Sequence, residues 1–185
     1  GVTQAQDFAK TDADPRDIAI SPDGRLAADS VDPMTGAPPG IVVWEVGTGE
    51  QRWLLPADGF IRSITFSPDG LRLAAAEDAA VGIWDTTNGE RVGQVTASTR
   101  DAWPRELTFS GDGRHVAVID WNGSLAVWDL ATLTELELAP IAEVGRSSIA
   151  FGGSGSRIVS GGDDGTVTVW DAATGAQVSE PIPLG

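Results

Sequence analysis

The sequence predicts an all-β chain of four-stranded antiparallel sheets repeated four times, and two recurring anchors carry that prediction. The first anchor is a turn: Ile20-Ser21-Pro22-Asp23-Gly24, Phe66-Ser67-Pro68-Asp69-Gly70, Phe109-Ser110-Gly111-Asp112-Gly113 and Phe151-Gly152-Gly153-Ser154-Gly155, with glycine spacings of 46, 43 and 42 residues. The second is an apolar alternation ending in Trp and an acid: Ile41 to Glu45, Val81 to Asp85, Leu125 to Asp129 and Val167 to Asp171, with Trp spacings of 40, 44 and 42. A period of this length marks an array of supersecondary units.

Between the anchors each stretch is a short β-rich run broken by Gly, Pro, Asp or Asn, with no useful helical period. Each unit therefore reads as four strands: a, ending at the Ser-Pro-Asp-Gly turn; b, such as His115 to Ile119; c, ending in Trp; and d, such as Glu135 to Leu138. A sheet this short cannot bury two faces alone, so neighbours must stack radially, as in a β-propeller. The units fall at residues 11–55, 56–98, 99–140 and 141–185, and residues 1–10 read as an outer strand of a preceding unit. With Ala176 to Ile182 as a last d strand, that makes five d strands for four a-b-c sets, as expected of a slice of a larger ring. Two chains completing an eight-blade ring and a closed four-blade ring are the other arrangements. The start at Gly1 in place of Met fits an excised piece.

Composition narrows the function. The chain has 12 basic and 27 acidic residues, a formal charge of −15. That charge repels nucleic-acid phosphates and anionic lipid headgroups, which makes both poor partners. With no cysteine, disulfides and thiolate metal sites are excluded. The first ten residues lack a basic segment followed by an apolar one, and no run of 18 apolar residues occurs, so a cytoplasmic protein is expected.

Ser-Pro-Asp-Gly followed about 15 residues later by Trp-Asp, and then by Thr-Gly-Glu-like turns, resembles the Trp-Asp (WD) repeat family in a divergent bacterial form, over roughly residues 11 to 185. The resemblance implies a protein-interaction platform or sensor. Similar bacterial repeats often form the regulatory part of larger kinases and signalling ATPases, so an intramolecular regulatory role is the alternative. The family's Gly-His pair before strand a, part of a buried network with a strand-b hydroxyl, a turn Asp and the Trp, is absent from every repeat. The turn Asp persists at Asp78 and Asp164, is Asn122 in the third repeat, and is lost in the first; Ser160 alone supplies the strand-b hydroxyl.

An up-and-down meander places the d-to-a and b-to-c connections on one rim and the repetitive turns on the other, where turn chemistry explains them. On the first rim Arg16, Arg62 and Arg105 share one register, with Ser147 in the fourth repeat. Two residues before each lie Asp14, Phe60, Trp103 and Gly145, and Trp121 joins them from a b-to-c turn. An insertion from Val31 to Gly40 lies on the same rim. Exposed Trp, Phe and Arg make binding hot spots, so Phe60, Arg62, Trp103, Arg105, Trp121 and Arg16 are the candidate site for a protein or peptide. The competing reading pairs these arginines with neighbours such as Asp17 or Glu106 and uses the aromatics to cap joints between blades. Trp44, Trp84, Trp128 and Trp170 read as core, and Trp53 as edge packing.

Catalysis finds little support. His115 is the single histidine and opens a strand, without partners for metal or acid-base work. Gly152 to Ser156 resembles a nucleophile elbow but aligns with the ordinary a-to-b turn. Asp163-Asp164-Gly165 lacks the alternating ligands and closing Glu of a calcium loop, and no Gly-Lys-Ser/Thr phosphate cradle occurs. No cofactor, metal or catalytic residue is expected; an enzyme with its site at the central channel is the remote rival.

Overall fold

A computed structural model of the chain describes residues 17–31, 38–78, 80–96, 103–136, 146–152 and 155–183. Four four-stranded antiparallel sheets follow one another, each in the order of its strands. The first holds β1 (Ile18–Ile20), β2 (Leu26–Val31), β3 (Gly40–Glu45) and β4 (Gln51–Pro56). The second holds β5 (Ser63–Phe66), β6 (Arg72–Ala76), β7 (Ala80–Asp85) and β8 (Arg91–Thr96). β9 (Pro104–Phe109), β10 (His115–Asp120), β11 (Leu125–Asp129) and β12 (Thr134–Glu135) form the third; β13 (Arg146–Phe151), β14 (Arg157–Gly162), β15 (Thr166–Asp171) and β16 (Ile182–Pro183) form the fourth. The last outer strand is the most broken. Gln177 bridges Trp170, the Val178 N–H bonds Val169 O, and the ladder then resumes at Ile182, after Pro181, which has no N–H to offer.

The a-to-b turn shows how a local motif writes its own geometry. Ser21 Oγ donates to Asp23 Oδ1 at 2.7 Å and accepts the Leu26 N–H at 2.9 Å, while the same Asp23 oxygen accepts the Arg25 N–H at 3.0 Å. Ser67 with Asp69, and Ser110 with Asp112, repeat this pattern. The hydroxyl first, and in each turn a backbone N–H as well, hold Asp23, Asp69 and Asp112 below the usual carboxylate range. The fourth turn has Gly152 in place of that serine and is closed by backbone bonds, Gly155 N–H to Gly152 O and Gly152 N–H to Arg157 O, both at 2.8 Å.

The Asp of each Trp-Asp pair caps the next turn. Asp85 accepts the Thr87 N–H, Asp129 the Ala131 and Thr132 N–H groups, and Asp171 those of Ala173 and Thr174. Four residues past the acid the backbone is left-handed: φ is 72° at Gly49, 76° at Gly89 and 66° at Gly175, but in the third sheet Leu133 holds it at 55°. A Cβ in that region costs about 1–2 kcal/mol. Leu133→Gly is therefore expected to raise stability by about 1 kcal/mol after loss of the Leu133 contact with Gly93, read as a higher denaturation midpoint at constant slope.

The core lies between sheets. Ala28, Ile41, Val43 and Leu55 of the first sheet close on Ile64, Phe66, Leu73 and Trp84 of the second. Val81, Ile83 and Val95 meet Leu107, Phe109, Val116 and Trp128, and Ile119 and Val127 meet Ile149, Ile158 and Trp170. Each of these Trp rings packs toward the sheet before it. Trp53 leans on the first of these cores and donates its indole N–H to Thr86 O at 3.2 Å. Trp170 Nε1 donates to Ser160 Oγ at 2.9 Å. For Trp84, at 0% exposure, the place that Ser160 holds for Trp170 is taken by Ala75, and its Nε1 has no partner among the described residues. Beside it Glu77, 1% exposed, takes the Arg91 Nη2 donor at 2.8 Å, and the guanidinium lies 5.0 Å from the Trp84 ring. Arg91 Nη1 reaches Asp58 at 2.8 Å.

Candidate functional site

The rim made by the d-to-a and b-to-c connections gathers the aromatic and cationic side chains into one strip across the second and third sheets. Arg62 stands just before β5, its N–H bonded to Ala76 O at 2.9 Å, which fixes where the side chain leaves the sheet. Its Nη2 meets Asp78 Oδ1 at 3.3 Å, and its Cζ lies 5.0 Å from the Trp103 ring centroid. Phe60, half-buried, gives its N–H to the other oxygen of Asp78 at 3.2 Å.

Trp103 precedes β9, and its carbonyl accepts the Trp121 N–H at 3.2 Å, which pins the two loops together. The register slips between Ile119 and Asp120, where Asp120 faces Pro104; a proline has no N–H for the ladder. Asp120 is buried and its Oδ1 accepts the N–H groups of Asn122 and Ser124, both at 2.8 Å. That cap holds Trp121 in a fixed turn. Arg105, in β9, then lays its guanidinium 4.8 Å from the Trp121 ring.

The order along the rim is Asp78, Arg62, Trp103, Trp121, Arg105. Trp103 is 51% exposed and Trp121 58%. Cation–π stacking of this kind contributes about 0.5–1 kcal/mol at exposed sites, enough to hold each ring in place while leaving much of it open to solvent. Five of the six candidate residues thus lie in one neighbourhood: Arg62 with Trp103, Arg105 with Trp121, and Phe60 through the carboxylate it shares with Arg62. Arg16, Asp14 and Gly145, and residues 32–37 of the insertion, lie outside the described residues, as does the 1–10 strand.

The two acids beside the arginines, Asp17 and Glu106, each bond across a joint between sheets. Asp17 Oδ2 accepts the Ile64 N–H at 2.7 Å, tying the first sheet to the second. Glu106 Oε1 accepts the Ser148 hydroxyl at 3.1 Å, tying the third to the fourth. Arg105 and Glu106 are adjacent in one strand and point to opposite faces. Among the described residues no carboxylate pairs with Arg105. What sequence reasoning missed is the role of Asp78 as counterion to Arg62, and the buried Glu77–Arg91 pair; the only signal for Asp78 was its place in the b-to-c turn.

His115 Nε2 stands 3.8 Å from Asp129 on the far rim, and Asp164 Oδ1 accepts the Thr166 N–H and hydroxyl as a turn does. Among the described residues no group of three His, Cys, Asp or Glu side chains is placed to hold a metal ion. No helix among them is long and apolar enough to cross a membrane.

Four consecutive sheets, the second to fourth each packed by its Trp against the one before, define a run of β-propeller blades. The model of the WD domain, G-beta repeat, matches residues 49–85 and 143–171, so the chain carries WD repeats. It is 31% identical over 87 residues to the antiviral protein SKI8 of Saccharomyces cerevisiae, a match covering 39% of this chain and 22% of that protein. To the small ribosomal subunit protein RACK1 of Medicago sativa it is 25% identical over 130 residues, covering 61% of this chain and 38% of the relative. The matched part is less than half the length of either relative. Among solved structures, Kuenenia stuttgartiensis hydrazine synthase superimposes with a TM-score of 0.75 at 19% identity, over 99% of this chain and 53% of that one; this likeness is one of fold.

Proposed function

We propose that the chain is a non-catalytic protein-interaction module that binds a protein or peptide on the rim carrying Trp103 and Trp121, and that its ends also join it to a second copy of itself. The observation that supports rim binding is the pair of half-exposed Trp rings, each stacked by an arginine and pinned to its neighbour through the backbone. Large rigid rings of this kind lose little conformational entropy on binding and dominate interface energetics. The charge of −15 argues for a protein partner over nucleic acid or a membrane surface. Relatives that include a protein of the small ribosomal subunit are in keeping with work inside an assembly.

Peptides selected from a random display library on the folded chain provide the test. Trp103→Ala and Trp121→Ala are each expected to weaken the selected peptides at least 30-fold, the equivalent of about 2 kcal/mol for a hot-spot residue. Stability should change by only about 1 kcal/mol or less, since both rings are already half in water. Trp53→Phe, on the outer edge, is expected to leave affinity unchanged. Equal affinity for the wild type and both rim variants would place binding elsewhere.

A further inference from the structure

The rim carries a cation that the chain itself leaves unanswered. Among the described residues Arg62 is held by Asp78, Arg91 by Glu77 and Asp58, and Arg157 by Asp171. Arg52, stacked on Trp53 in the first sheet, lines a cleft with Asp23 and Glu45. Arg105 has no ion pair among the described residues, in a chain with 27 acids and 12 bases. Of the acids in the β9–β10 ladder beside it, Glu106 bonds the Ser148 hydroxyl, and Asp120 accepts the N–H groups of Asn122 and Ser124.

The backbone aims this arginine. In the β9–β10 ladder Pro104 stands opposite Asp120 and Glu106 opposite Ile119, so Arg105 is the extra residue of a bulge, a device that re-aims a side chain and recurs beside functional sites. The fourth sheet slips at the same register, between Arg146 and Ser148, where the sequence has Ser147. The Arg105 guanidinium then lies 4.8 Å from the Trp121 ring. A stacked guanidinium keeps its N–H donors in its own plane, directed past the edge of the ring, so stacking holds the fork still without using any of its donors. A set of free donors and a half-exposed indole thus open to solvent side by side.

We infer that the rim takes a segment in which an acidic side chain stands beside an apolar one: Arg105 receives the carboxylate in a two-pronged contact, and the open part of the Trp121 ring receives the apolar neighbour. This rests on the rim binding proposed above and names the chemistry of its partner. The fork matches a carboxylate in shape, and holding it in place beforehand removes an ordering cost from binding. The chain's own charge favours one acid over many. At −15 it repels any segment with several negative charges, and a phosphate would bring about −1.5 to −2 to a single fork. A single acid among apolar residues meets the attraction at Arg105 with the least of that repulsion.

Peptides selected on the folded chain test this through a double-mutant cycle. The selected sequences are expected to share an Asp or Glu next to Trp, Phe or Leu. Arg105→Gln, and the amide form of that peptide acid, are each expected to weaken binding about tenfold, and the two together by little more than one alone, since each removes the same contact. Arg105 is half-buried at the rim, so the denaturation midpoint of Arg105→Gln should stay close to that of the wild type. If Arg105 only props the Trp121 ring, the two losses multiply, which overturns the assignment while rim binding stands. Selected peptides with no acid in common overturn it too, as does tighter binding of a phosphoserine peptide than of the acidic one. Unchanged affinity in Trp103→Ala and Trp121→Ala removes the rim reading and this one with it.

Discussion

Arg91→Ala is expected to destabilise the chain by about 3–5 kcal/mol at neutral pH, the range for removing one partner of a buried ion pair. Glu77 is 1% exposed, and the Arg91 guanidinium is its partner at 2.8 Å. Its other oxygen has none among the described residues. Without the arginine a carboxylate would be left in the joint between the first and second sheets, against Trp84 and within the field of Asp58. Burial already pushes the Glu77 carboxyl above its ordinary value of 4.5, with Arg91 pulling against it. A group raised in this way favours the folded state most when protonated, and that contribution is lost as pH rises through its folded pKa. Removing Arg91 moves the carboxyl further up. The deficit of Arg91→Ala is therefore expected to be largest at pH 8 and smaller at pH 5. Denaturation midpoints of the wild type, Arg91→Ala and Glu77→Gln at the two pH values check this; the glutamine variant should lose the pH dependence that belongs to Glu77. A deficit independent of pH would mean that Arg91 acts through packing on Trp84 alone.

The second large effect is expected at Gly82. A Cβ built there would overlap the far edge of the Trp84 ring and stand 2.8 Å from Glu77 Oε1. Trp84 is fully buried and packs in the joint with the first sheet, so the ring can yield only by moving that joint. Gly82→Val should cost about 3 kcal/mol, at the upper end of the overpacking range. Ala126→Val, the same register in the third sheet and half-buried, is the control and should cost less than about 1 kcal/mol. Thermal denaturation of both variants decides it. Equal losses would show that the strand, and not the indole beneath it, limits side-chain size.

Much of the fold was legible because its signals are local. The Ser-Pro-Asp-Gly turn closes through bonds spanning two and five residues, from Ser67 Oγ to Asp69 and from the Arg72 N–H back to Ser67 Oγ. The Trp-Asp acids bond donors two or three residues on, as Asp171 does with Ala173 and Thr174. Such contacts depend on which residues follow one another, so reading four copies in register was enough to place the strands. The rim was legible in part for the same reason: an up-and-down meander dictates which connections share an edge, and that alone put Trp103, Arg105 and Trp121 together.

The sequence by itself thus determined the repeat, the strand order within each blade, the inward Trp rings and which connections share a rim. Tertiary structure decided who partners whom. Arg62 meets Asp78 from 16 positions away, and Arg91 reaches Glu77 from 14 and Asp58 from 33. These pairings form only when strands, and then whole sheets, lie against one another. Adjacent residues such as Arg105 and Glu106 are kept apart by the alternation of the strand. The exposed Ile18 and Ile20 make the same point: their type and spacing match those of the buried Ile64 and Phe66, and only the stacking of sheets shows which copy of the motif has no described sheet packed upon it.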